Sequence, residues 1–140
     1  GGGLLVTIPY AGVLHLTVES DANGPVFCMP FGPDVVGRPG FLHGGAISGL
    51  LEMAAAGALR HALALEGRGT TEGEIAVPRI KPVSLTIDFM RGGRDKTTRA
   101  QGIVTRLGTR VANIEAIAWQ DERERPIAAA RMNYLIVRRD

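Results

Sequence analysis

One segment limits what this chain can fold into. Residues 45–65 are rich in Ala, Leu, Met and Ile, hold no proline and read as one long helix, with only Gly49 and Gly57 unfavourable. Ile47, Leu50, Leu51, Ala54, Ala58 and Ala62 line up as a broad apolar stripe. The opposite side is almost as poor in charge, because Glu52 is the single charged residue between Arg38 and Arg60. A helix this apolar on all sides has to be wrapped by other structure. It is not expected to cross a membrane: the apolar stretch 46–58 is too short and carries a glutamate.

The remainder reads as strands. Leu14, Leu16 and Val18 alternate with His15, Thr17 and Glu19, and 26–29 follows a turn at 21–25. Beyond the helix, Gly67, Arg68, Gly69, Gly73 and Pro78 mark an irregular connection. Val83, Leu85, Ile87 and Phe89 then alternate with Ser84, Thr86, Asp88 and Met90. Runs at 98–106 and 110–121 flank a turn at Gly108, and 127–137 follows a turn at 121–126. Two strands, one helix and four more strands predict an α+β fold, a single antiparallel sheet curled around the helix. With 140 residues and no internal repeat, one domain over 1–140 is expected.

Composition excludes several functions. Cys28 is the only cysteine, so no internal disulfide is possible, and its apolar neighbours make it a core residue rather than a nucleophile. His15, His43 and His61 are far apart and have no ligand partner at metal-site spacing, so no metal is expected. The beginning of the sequence lacks a basic segment followed by an apolar one, which points to a cytoplasmic setting. The first 78 residues hold three Arg against seven acids, the rest 13 Lys and Arg against seven. Such a basic half is either a solvated surface or a receptor for phosphates. Aromatic residues at 5% offer few platforms for nucleic-acid bases, and no nucleic-acid motif is present.

The chemistry concentrates where the loop 31–40 meets the helix. Phe41-Leu42-His43-Gly44-Gly45-Ala46 places two glycines at the helix start, where another group can approach the backbone closely. The first N–H groups of a helix lack intrahelical partners and lie at the positive end of its dipole, so they can hold a developing oxyanion. The bland alternative is a tight turn capped by a histidine. Glu52, two turns further on, tilts the balance, because burying an unpaired carboxylate is costly and such residues mark functional sites.

His43-Gly44-Gly45 with Glu52 nine residues after the histidine resembles the phenylacetic-acid-type branch of hotdog thioesterases. Ile8-Pro9-Tyr10, the stretch 84–91 and the stretch 108–137 are similar to the family's opening, its strand after the helix and its final hairpin. The resemblance implies the hotdog fold, dimers that share active sites, and hydrolysis of an acyl-coenzyme A thioester to acid and coenzyme A without a separate cofactor. It assigns Glu52 as nucleophile or general base, the Gly44 N–H as the group polarising the thioester carbonyl, and His43 as the third catalytic residue, which helps shape this turn and contacts the thioester region. Two positions depart from the pattern. Gly37 stands where the family often has Asn or Gln, and Pro82 where some members have a helping Ser or Thr; Ser84, two residues on, is the expected substitute on the same strand face.

Substrate contacts are expected at Gly45 and Ser84, with the phosphates of coenzyme A near Arg91, Arg94, Lys96, Arg106 or Arg110 and the acyl chain among Leu51, Ala55 and Leu59. Gly44 and Glu52 are roughly 12 Å apart along one helix at 1.5 Å per residue, too far to touch one carbonyl. A homodimer, alone or paired into a tetramer, would set one subunit's Gly44 opposite the other's Glu52. A non-catalytic acyl-CoA-binding module is the alternative; a hydratase would need a different histidine arrangement.

Overall fold

The computed structural model of the chain describes residues 14–68 and 78–137; Ile8-Pro9-Tyr10, Gly69 and Gly73 lie outside them. The strands are β1 (Thr17–Asp21), β2 (Gly24–Met29), β3 (Arg79–Phe89), β4 (Thr98–Leu107), β5 (Val111–Trp119) and β6 (Ala128–Val137), with one long helix, α1 (Gly44–Leu65), between β2 and β3. All six strands form one sheet in the order β1-β2-β4-β5-β6-β3, every neighbouring pair antiparallel. This is the hotdog arrangement that the sequence predicts.

The helix forms for local reasons and stops for local reasons. His43 caps its start with an extended backbone, and Gly67, at φ 72, ends it in the left-handed conformation that favours glycine. The Gly67 N–H then donates to Ala64 O (3.0 Å) and the Arg68 N–H to Leu63 O (2.7 Å), which satisfies the last carbonyls.

Two glycines let the helix settle on the sheet. A side-chain carbon at Gly102 of β4 would stand 2.7 Å from Ala54 O and 2.8 Å from Ala58 Cβ. One at Gly57 would stand 2.5 Å from the Phe27 ring of β2. Small inward residues on β5 (Ala112, Ala116, Ala118) complete the seat. Leu50, Leu51, Ala54, Ala55 and Leu59 are wholly buried there. Leu51, Ala55 and Leu59 are therefore core residues packed against the sheet, and they do not border an open gap for an acyl chain.

The helix lies over β2, β4 and β5 and only lightly over β6. The last strand, β3, pairs with β6 alone, and Val83, Leu85, Phe89 and Met90 remain 39–54% exposed.

Two features differ from the sequence reading. The first strand begins at Thr17, because His15 adopts φ 55, a conformation outside the strand region; Leu14 and Leu16 are buried ahead of it. In β3, the register shifts between Pro82 and Ser84: Pro82 pairs with Tyr134, while Ser84 pairs with Asn133. Adjacent residues of β6 point to opposite faces, so this bulge puts Ser84 on the face opposite Pro82.

Gly102→Ala should lower unfolding free energy by about 1–3 kcal/mol, the usual cost of overpacking a tight contact. Urea titration followed by circular dichroism measures it; an unchanged midpoint would show that the helix does not need this close approach.

Candidate active site

His43 builds the turn. Its Nδ1 accepts the Ala46 N–H at 2.9 Å, which leaves the ring proton on Nε2, and Nε2–H donates to the Asp34 carbonyl at 3.3 Å. The His43 N–H donates to Val35 O at 3.0 Å. Both ring nitrogens are thus held by backbone, and the histidine acts here as a cap. Gly44 and Gly45 follow, both exposed, at the first two helical positions, and their N–H groups have no hydrogen-bond acceptor among the described residues. Two free donors at the positive end of α1 are what an oxyanion needs.

Gly37 has a structural reason to lack a side chain. A Cβ there would lie 3.1 Å from the His43 Cα and 3.2 Å from its N. The loop is drawn this tight by Gly37 N–H donating to Phe41 O (2.8 Å) and by the Val36–Leu42 bridge.

Glu52 is half-buried and has no ion pair or side-chain hydrogen bond among the described residues. Ser48 and Ala56, each a helical turn away, and Arg60, two turns on, share its half-buried stripe. Tyr134 of β6 is nearby. Its phenol is buried, and among the described residues its hydroxyl has only the Met132 sulfur within reach (3.6 Å). Burial first, and then the charge of Glu52, push that phenol above its ordinary range, with Arg60 opposing. Glu52 therefore lies on the half-buried stripe of α1, close enough to Tyr134 of β6 for its charge to act there. The sequence reading missed Tyr134, although it falls in the inward series Ala128, Ala130, Met132, Tyr134, Ile136 of β6.

The basic candidates divide between the two ends of the sheet. Arg91, Arg94 and Lys96 gather beside the start of α1, around an open cavity of about 300 Å³ lined also by Gly92, Gln120, Asp121, Glu122, Arg125 and Ile127. Lys96 is tied to Asp121 at 2.8 Å. Arg106 and Arg110 flank the β4–β5 turn at the other end, where Arg68, just past the helix, donates to Gly108 O at 3.0 Å. They cannot join the first group within one subunit, since α1 alone is about 33 Å long at 1.5 Å per residue. Ser84 is also misplaced for its expected role: it accepts from Asn133 Nδ2 at 2.7 Å on the outer face of the sheet, in a polar hollow with Thr86, Thr105 and Arg131. Nothing in the sequence pattern announced the bulge except Pro82 itself.

Among the described residues, no group of His, Cys, Asp or Glu could hold a metal ion, and no helix is long and apolar enough to cross a membrane.

Residues 39–127 match the thioesterase superfamily, and the chain belongs to that family. Among solved structures, a protein from Chromobacterium violaceum is 31% identical, with a TM-score of 0.68 over 98% of this chain and 89% of that one. A protein from Bacillus halodurans, solved with CoA, is 18% identical, with a TM-score of 0.73 over 96% of this chain and 82% of the other. A phenylacetic acid degradation-related protein from Ralstonia eutropha is also 18% identical, with a TM-score of 0.73 over 96% and 98%. The last two share the fold. No curated protein matches the chain.

Cys28 stands apart from this chemistry. It is buried, its Sγ–H donates to Glu19 Oε1 at 3.1 Å, and burial, reinforced by Glu19, pushes its thiol up to about 11. Alkylation needs the thiolate. Iodoacetamide at pH 8 should therefore leave the native protein unmodified and reach Cys28 only as the pH approaches 11 or in denaturant, as mass spectrometry would record. Rapid labelling at pH 8 would contradict this burial.

Proposed function

We propose that the protein hydrolyses an acyl-CoA thioester in the manner of the phenylacetic-acid-type thioesterases, at a site completed between two subunits. The observation that carries this reading is Glu52: a half-buried carboxylate without a partner among the described residues, set in an apolar helix. The family membership supports thioester hydrolysis, and the Bacillus halodurans relative solved with CoA supports the carrier.

In this reaction the thioester carbonyl oxygen sits on the Gly44 N–H, with Gly45 beside it. Glu52 takes a proton from water as the oxygen of that water bonds to the carbonyl carbon. The negative charge that forms on the carbonyl oxygen is held at the helix start. The C–S bond then breaks, the acid is released, and the proton on Glu52 passes to the thiolate. In the variant route, the Glu52 carboxylate itself attacks, the thiol leaves, and water cleaves the resulting anhydride. Both routes give one acid and one thiol per water consumed.

The edges of the sheet support a dimer. β1 is short and polar, with Glu19 and Asp21, so it resists pairing. β3 spans 11 residues and presents exposed apolar side chains. Long apolar edges are covered in soluble proteins, and an antiparallel copy of β3 is the natural cover. Such pairing reverses the second subunit. Its Glu52 would then face this subunit's Gly44, and the partner's Arg110 would lie at the end that holds Arg91 and Arg94. Two such dimers can pair further into a tetramer.

Glu52→Gln should reduce kcat on the best acyl-CoA substrate by about 10²-fold or more, as expected for loss of a base or nucleophile. Its circular dichroism and sedimentation should match the parent. Undiminished turnover would remove Glu52 from the mechanism, and CoA binding by the parent without any turnover across aryl, short-chain and long-chain thioesters would favour a binding module.

A further inference from the structure

Phe41 carries two guanidinium groups. The Arg38 Cζ lies 4.0 Å from the ring centroid and the Arg94 Cζ 4.4 Å from it. Two cations on one ring stand no farther apart than those distances combined. Like charges held on one ring repel, and an anion bound between them lowers that cost. Neither arginine has a carboxylate partner among the described residues, although Lys96 nearby is neutralised by Asp121.

The stack is also rigidly built. Phe41 bridges Arg94 in a short antiparallel contact, and a Cβ on Gly92 would press on the Phe41 ring at 3.2 Å. Gln120 clamps the Arg94 backbone from both sides, accepting its N–H (3.0 Å) and donating to its carbonyl (3.0 Å). A guanidinium laid on an aromatic face keeps its edge N–H groups free for bidentate bonding to phosphate. Arg94 borders the 300 Å³ cavity together with Arg91 and Arg125, and Phe41 precedes the capping His43 by two residues.

We infer that Arg38 and Arg94, held on Phe41, form a fixed clamp for the diphosphate of the CoA leaving group and set the enzyme's preference for CoA over smaller thiols. The inference rests on the acyl-CoA reading above and adds Arg38 and Phe41 as residues that determine specificity. A pre-arranged pair of guanidiniums costs little ordering when the ligand arrives, so the affinity depends on the stack as well as on the charges.

The test separates this clamp from the hydrolase reading. Steady-state kinetics would compare an acyl-CoA, the same acyl group on dephospho-CoA, and the same acyl group on pantetheine. Arg38→Gln and Arg94→Gln should each raise the KM for acyl-CoA and for the dephospho-CoA thioester about tenfold or more, with kcat changing far less, so that the preference over acyl-pantetheine collapses. Phe41→Leu should raise KM in the same direction, and Phe41→Tyr should restore it, since a tyrosine ring carries the stack equally well. Arg131→Gln, a charge removed from the outer face, is the control and should leave the preference intact. Binding of inorganic pyrophosphate, followed by calorimetry in the parent and the Arg38→Gln protein, reports on the clamp even if no thioester turns over. Pyrophosphate affinity and CoA preference both unaffected by Arg38→Gln would overturn the clamp. A KM rise for acyl-CoA but not for the dephospho-CoA thioester would overturn the diphosphate assignment in favour of the 3′-phosphate.

Discussion

The close approach of α1 to β4 at Gly102, and to Phe27 at Gly57, governs the rest of the molecule. Helix backbone can sit so near a strand only where side chains are missing, and the two glycines fix where that happens. The helix is thereby drawn over β2, β4 and β5, off the centre of the sheet. β6 is left partly covered and β3 uncovered. Glu52, Ser48 and Ala56, on the side of α1 turned away from this seat, then border open space rather than core. A carboxylate in an apolar helix is tolerable there because water or a ligand can reach it.

The same asymmetry underlies the proposal that the site is completed between two chains. The free N–H groups at Gly44 and Gly45 lie at one end of the helix, and the carboxylate lies two turns away. Arg91 and Arg94 stand at the Gly44 end, Arg106 and Arg110 at the other. In the proposed dimer, an antiparallel copy across the β3 edge would resolve each of these separations at once and would cover the edge that carries Val83, Leu85 and Phe89. His43 builds this arrangement: its ring is bonded to the backbone of Ala46 and Asp34, at the turn that leads into the two exposed glycines.

Most of the fold was legible in the sequence because most of it obeys simple periods. The helix expected at 45–65 is found at Gly44–Leu65, and the four strands after it fall close to where alternation puts them. The first strand was misread because burial and strand geometry part company there: Leu14 and Leu16 are buried, yet His15 turns the chain, and the true strand Thr17–Asp21 is an exposed polar edge with no apolar rhythm to detect. Within the candidate site, His43, Gly44 and Glu52 could be proposed because their spacing along the chain is local and resembles a family pattern. Ser84 could not be judged, since period-two reasoning fails across a bulge. Arg38, Phe41 and Tyr134 went unnoticed because contacts between a loop, a strand end and a helix leave no trace in local spacing.

The shared site is the central claim, and mixed dimers test it most directly. Gly44→Pro removes the N–H at the first helical position, where proline is well tolerated. His43 already has the extended backbone that precedes a proline, φ −81 and ψ 151, and a Cβ at position 44 meets only the Phe89 ring, at 3.7 Å. Alone, Gly44→Pro subunits and Glu52→Gln subunits should each be nearly inactive. In a mixed dimer, the Gly44 of one subunit meets the Glu52 of the other, so one of the two sites is whole and activity should return. Co-purified mixed dimers no more active than either parent would show that each chain works, or fails, by itself.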